Sequence, residues 1–287
     1  MRNLMGAATT TAALAADAMP TVEPDFRISN GRIRQSIMGW TYGFMPVAEL
    51  ARHCKEIGLV AMEGVDAKHY PMIRDLGLAI SLTNSHGFKQ GPFSRANHEM
   101  CVAKLREGID LAVANVCDKV ITFTGYREPG ITDAEGAKNC VECWKQVIAY
   151  AEEKKVTLCL EHLNSRDTTH PMKGHPGYFG DNLDLCCDLI GRVGSPRMKL
   201  LFDIYHVQIM HGDVIRRMRQ LKDVIAHIHT GGVPGRGELD NTQELNYPAI
   251  MQAIVDLGYR GHVAQEFIPT WDDKVAALRY AAKICDV

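Results

Sequence analysis

The chain has 287 residues, a formal charge of −2 at neutral pH, and 46% hydrophobic against 23% charged residues. That length suits one large domain with a well-buried core, and the near-balance of charge leaves no electrostatic footprint for nucleic acid or an anionic membrane. No stretch reaches the ~20 uninterrupted apolar residues that span a bilayer, and nine irregularly spaced cysteines, two of them adjacent, make no disulfide framework.

In chain order, residues 1–28 begin with Arg2, continue through small apolar residues and carry Ala16-Asp17-Ala18. This pattern is similar to an export signal, so the segment is set apart as a tail or signal-like piece, with residues 29–287 forming one domain. Free cysteines favour the cytoplasm; a periplasmic location follows if the segment is what remains of such a signal.

Short apolar runs then recur at residues 32–40, 60–65, 79–85, 119–125, 156–164, 198–206, 225–231 and 262–267. Longer amphipathic segments lie between them, at residues 47–58, 67–77, 98–116 and 247–258, several ending in glycine as helices do. Residues 139–155, which hold Cys140 and Cys143, read as one helix with cysteines on its face rather than a metal ribbon, because no second pair exists. Eight strands alternating with helices predict an α/β protein with a parallel sheet, and the count of eight predicts a closed (β/α)8 TIM barrel. No glycine-rich dinucleotide or phosphate loop follows any strand.

The last four strands each end on a potential metal ligand: Glu161, Asp203, His229 and Glu266. Side chains at i and i+2 share a strand face. Leu158, Leu160, Leu200, Phe202, Ala226, Ile228, Val263 and Gln265 take the parity facing the outer helices, and the four ligands take the other, into the barrel. Three carboxylates brought together in this way repel and resist desolvation unless a cation joins them. Oxygen-rich ligation with one imidazole suits one divalent ion such as Mn, Mg or Co, with Zn also compatible.

From about Arg32 to Ile268 the chain resembles the xylose-isomerase-like barrel superfamily, and within it the hydroxypyruvate isomerase family. The stretches that carry the resemblance are VGSPRMKLLFDIYHVQIMHGDVIRRMRQ, IAHIHTGGVPGRGELD, NYPAIMQAIVDLGYRGHVAQEF and LCLEHLN. The resemblance implies that Glu161, Asp203, His229 and Glu266 bind one metal and that Glu161 and Glu266 are also acid and base. It implies a metal-dependent isomerase that interconverts hydroxypyruvate and tartronate semialdehyde, or a related hydroxy-carbonyl, by enediolate proton transfer. One departure stands out: hydroxypyruvate isomerases tend to carry Gln where this chain has His229. The ketose 3-epimerases carry His there in an H-x-H context, like His227-Ile228-His229. A ketose 3-epimerase, or a lyase acting on keto-sugars or keto-glycosides, is therefore the alternative. The superfamily's abasic-site endonucleases are remote, since they need further ligands on early strands and only Glu63 and His86 offer any.

Other residues are candidates for contacts with a small hydroxy-carbonyl or sugar-like substrate. His206, three residues past Asp203, binds a substrate oxygen or orients a ligand. Arg236, in the glycine-rich loop after strand seven, can hold a substrate carboxylate in two-point contact, with Glu238 as its ion-pair partner. Glu63 and His86 end strands two and three, and Trp40 and Tyr42 follow strand one as an apolar wall. His227 sits one layer below His229, while His162 and Asn164 have the outward parity. No membrane or nucleic-acid partner is expected; the composition leaves room for a homo-oligomer.

Overall fold

The computed structural model describes residues 20–287, so most of the signal-like segment lies outside the described residues. Eight parallel strands form: β1 (Arg34–Met38), β2 (Ala61–Glu63), β3 (Ala79–Ile80), β4 (Lys119–Thr122), β5 (Thr157–Glu161), β6 (Met198–Asp203), β7 (Ile225–Thr230) and β8 (His262–Gln265). Their order is β3-β2-β1-β8-β7-β6-β5-β4. The ring closes between β3 and β4 through a parallel bridge at Thr83 and Val120. There Thr83 N donates to Lys119 O and Ile121 N donates to Thr83 O, both at 3.0 Å. This is the closed (β/α)8 barrel expected from the count of strands.

Two apolar layers follow from strand alternation. Leu158, Leu160, Leu200, Phe202, Ile228 and Val263 pack in the large core between barrel and helices. Ile121, Phe123, Cys159 and Leu201 belong to a smaller cluster inside the barrel. Ala226 departs from the expected outward parity. A register shift opposite Leu200 and Leu201 inserts one residue into β7, and Ala226 packs with the interior cluster instead.

Three expected segments differ in extent. The run at 79–85 is regular only over Ala79–Ile80; beyond it the pairing is reduced to the bridge at Thr83, whose hydroxyl also lies within hydrogen-bond distance of the carbonyls of Gly108 and Lys119. The run at 198–206 stops at Asp203, whose carboxylate accepts the amides of Tyr205 (2.8 Å) and His206 (3.3 Å) and so starts the helix Ile204–Met210. The single helix expected over 139–155 is two, Asp133–Lys145 and Ile148–Lys154. Trp144, Val147 and Ala151 are all fully buried, and the break re-aims the second piece onto the barrel. Upstream of residue 29, Phe26 and Ile28 pack against the core, and Ile28 N donates to Ile57 O at 2.9 Å. All nine cysteines are free. No helix among the described residues is long and apolar enough to cross a membrane.

Candidate metal centre

Glu161, Asp203, His229 and Glu266 each offer a ligand atom within 4.8 Å of the others, at the C-terminal mouth of the barrel. Glu161 ends β5, Asp203 ends β6, His229 lies near the end of β7 and Glu266 follows β8. All four are at most 5% exposed. His229 Nδ1 lies 2.6 Å from Glu266 Oε2 and 3.4 Å from Glu161 Oε1, yet none of these three atoms makes an aligned hydrogen bond. Buried polar atoms are seldom left without partners. Converging, unaligned donors of this kind fit a shared divalent cation.

The buried charges of the basin shift one another's protonation. Burial raises Asp203 to about 7, against the opposing field of Arg236. Burial and the neighbouring Glu266 push Glu161 up, outweighing its contact with His229. Burial also resists ionisation of Glu266, but Arg236 and His229 hold it down to about 2. His229 is buried too, and the carboxylates of Glu266, Glu161 and Glu63 still raise it well above the usual imidazole value. Protons thus occupy a place that a cation would take.

A second cluster lies one layer below. Glu63 accepts from His227 Nε2 (2.9 Å), His229 Nε2 (2.7 Å) and Ser81 Oγ. Burial opposes its ionisation, and the two imidazoles nevertheless hold it far below the carboxylate range. Its oxygens are fully engaged, so this trio fits a support for His229 rather than a second ion site. Because Nε2 of His229 gives its proton to Glu63, Nδ1 is the nitrogen that faces the basin and presents a lone pair there once the imidazole is neutral.

The other sequence candidates divide. Trp40 donates Nε1–H to Glu266 Oε1 at 2.9 Å and lines a cavity of about 350 Å³ above the basin. Arg236 lines the same cavity, but it is neither solvated nor free. It contacts Asp203 Oδ2 (3.2 Å) and Glu266 Oε2 (2.7 Å), donates to Met172 O (2.6 Å), and is 2% exposed. Its φ of 54° falls where non-glycine residues rarely sit, a strain typical of residues held for function. Glu238 is not its partner: that carboxylate accepts from Thr270 and Trp271.

His206 is fully buried behind Asp203 rather than on the cavity wall. Its Nδ1 accepts from Asn164 N (3.0 Å) and Nδ2 (2.7 Å), leaving Nε2 3.6 Å from Asp203 Oδ2. Burial and Arg236 keep it neutral. Glu63 lies below the basin, away from the cavity. His86 is turned aside, with Nε2 on Thr122 Oγ1 and Nδ1 on Gly87 O, because the chain leaves β3 early. Tyr42 packs in the core with its hydroxyl on Lys274 O, and His162 is buried against His211.

The sequence reading did not include His175, Phe88 and Met172, which also wall the cavity. The His175 ring packs against Phe88 with centroids 4.5 Å apart and planes tilted by 58°, and burial with the nearby Arg236 lowers it to about 4. For Met172 and His175 the available signal was length: the connection from β5 to the helix at Leu183 is longer than a barrel loop needs, and such loops tend to cover sites; Phe88 lies in the connection after β3.

Fold and cluster together define the class, a closed (β/α)8 barrel with a buried three-carboxylate, one-imidazole basin at its C-terminal mouth. Residues 46–283 match the xylose isomerase-like TIM barrel family, and the chain belongs to that family. It is 35% identical over 141 residues to the 2-oxo-tetronate isomerase of Cupriavidus necator, covering 48% of this chain and 51% of that protein. It is 28% identical over 151 residues to the hydroxypyruvate isomerase of Escherichia coli, covering 53% and 55%. The chain thus spans about half the length of these relatives. The crystal structure of AP endonuclease, family 2, from Brucella melitensis superposes with a TM-score of 0.75 at 24% identity, over 87% of this chain and 98% of that one. This last likeness is one of fold.

Proposed function

We propose that the protein is a metal-dependent isomerase of small 2-oxo-hydroxy acids, interconverting hydroxypyruvate and tartronate semialdehyde or a close homologue. One observation carries the reading: of the four basin residues, only Glu161 and Glu266 line the cavity. Asp203 and His229 stand behind them, fully buried. The relatives named as isomerases of hydroxypyruvate and 2-oxo-tetronate support the choice of an oxo-acid.

The four basin residues would hold one divalent ion, and such an ion supplies Lewis acidity to the oxygens of an enediolate. The protein's own groups do the rest. Glu266 and Glu161 reach the cavity from strands three apart around the barrel. From there the two carboxylates can divide acid and base work. One removes the proton from the hydroxymethyl carbon, the electron pair moves into the enediolate, and the other delivers a proton to the adjacent carbon; proton exchange with solvent then returns both carboxylates to their starting states. One hydroxyl proton passes between the two substrate oxygens, so the product is an isomer with no net gain or loss of atoms. Trp40 fixes the Glu266 carboxylate. Phe88, Met172 and His175 exclude water, and Arg236 faces the cavity as the group suited to a substrate carboxylate.

The test is a reconstituted assay with Mn, Mg, Co or Zn against hydroxypyruvate, tartronate semialdehyde, 2-oxo-tetronate and a ketose panel in D2O. The expected result is metal-dependent interconversion of an oxo-acid pair, with deuterium entering at the carbon that gains the proton. Inversion at C3 of a neutral ketose, without turnover of any oxo-acid, would replace this reading with the epimerase one.

A further inference from the structure

The alternation that gathers the ligands at one mouth of the barrel gathers positive charge at the other. Four residues before Glu161, Asp203 and Glu266 on the same inward faces stand Thr157, Lys199 and His262. Arg34 pairs with His262 across β1 and β8, and Lys119 pairs with Thr157 across β4 and β5. All five line a second cavity, of about 810 Å³, which Arg197, Lys222 and Arg260 also border. It shares no lining residue with the cavity over Glu161 and Glu266.

Six Lys and Arg side chains therefore surround this space, against one carboxylate, Asp118. Among the described residues only Lys119 has a carboxylate partner, with its Nζ 2.6 Å from Asp118 Oδ1. Arg34 reaches only the Arg260 carbonyl (3.5 Å), Arg197 only Thr157 Oγ1 (3.3 Å), and Lys199 only the Asp223 carbonyl (2.7 Å). His262 is 7% exposed, and neither of its ring nitrogens has a hydrogen-bond partner. A buried imidazole left unsatisfied on both sides is uncommon. The N-terminal face of such a barrel ordinarily serves stability, and gathering like charges without counter-ions opposes that role.

We propose that the N-terminal mouth of the barrel binds a small, multiply charged anion of the phosphate class. Three arginines offer planar forks that match phosphoryl oxygens, three lysines add charge, and His262 supplies a donor or acceptor at the floor. Six cations exceed what a single carboxylate neutralises, whereas a diphosphate or phosphate ester meets several at once. Ile254 and Leu257 give one side of the cavity an apolar surface for an organic moiety.

The probe is inorganic pyrophosphate, titrated calorimetrically into the full chain after dialysis against a chelator, so that no cation competes for it. One site per chain is expected, weakening about tenfold or more as salt rises and shortens the screening length. Citrate, a polyanion without phosphoryl groups, is expected to bind at least tenfold more weakly. The Arg34→Gln/Lys199→Gln variant is expected to lose most of the affinity. The ring resonances of His262 should shift with pyrophosphate while those of His175, at the other mouth, stay in place. Should the double variant not fold, the shift at His262 decides alone. Absence of binding, undiminished binding by a folded double variant, equal affinity for citrate, or a shift at His175 without one at His262 would overturn the proposal.

Discussion

His229 Nε2 lies 2.7 Å from Glu63 Oε1, so a carboxylate on β2 sets the tautomer of an imidazole on β7. Replacing Glu63 by Gln keeps the volume but puts an amide donor where three donors already converge from His227, His229 and Ser81. His229 then loses the fixed orientation that aims Nδ1 into the basin. Affinity for Mn, measured calorimetrically, should fall about 10–100-fold, the usual effect of removing such a support. Unchanged affinity in a folded Glu63→Gln variant would show that the contact does not position the ligand.

Arg236 joins two basin carboxylates and borders the cavity. A lysine at this position keeps the charge and loses the fork. Arg236→Lys should therefore raise KM for an oxo-acid roughly tenfold, about 1.4 kcal/mol, while KM for any neutral ketose that turns over changes little. Equal effects on acidic and neutral substrates would assign the arginine to the basin alone.

The raised groups of the basin dictate how stability depends on pH. Asp203 is lifted to about 7 and His229 well above its usual value, so both bind a proton more tightly in the folded state than in the unfolded state. Their contribution is complete below the unfolded values. For Asp203 it is lost as pH climbs from about 4 through 7, and for His229 as pH climbs from its unfolded value of about 6.5 through its raised value. Glu266, shifted the other way to about 2, has given its full contribution by pH 5. Between pH 5 and 8 the metal-free protein should lose thermal stability as pH rises. Saturating Mn should restore it, with the largest gain in Tm at the highest pH, since the ion and the protons compete. A gain in Tm that is constant across this range would mean that the ion binds elsewhere.

Gly108 lies in the helix His98–Ala114 where it crosses the chain beyond β3. A Cβ there would meet the carbonyl oxygen of Asn84 at 2.6 Å. Alanine improves helix propensity by about 1 kcal/mol, but the clash is with backbone and cannot be relieved by a rotamer. Overpacking of this kind costs about 1–3 kcal/mol. Gly108→Ala should lower stability in denaturant unfolding, and it should disturb the cavity wall at Asn84 and Ser85.

Much of the barrel was legible in the residue order, because strand periodicity is local. Eight apolar runs give eight strands, and the ligands at Glu161, Asp203, His229 and Glu266 share one parity on four consecutive strands. Parallel strands joined through helices must then bring those positions to one mouth. Parity failed at Ala226, where one extra residue in β7 changes the face and nothing in the local pattern marks it. It also could not show where a strand yields to a capped helix, as at Asp203, since the same carboxylate reads as a strand end and as a helix start.

Only the tertiary structure decided how the candidates divide their work. His206 is held behind Asp203 by Asn164, Arg236 is drawn onto Asp203 and Glu266, and Glu63 reaches across the barrel to two imidazoles more than 160 positions away. Hydrogen bonds and ion pairs of this range depend on which side chains meet when the sheet closes, and they leave no periodic trace along the chain. The charge at the opposite mouth follows the same logic. Arg34, Lys119, Lys199 and His262 lie at or next to the first residues of their strands, and closure of the barrel turns them into one cavity.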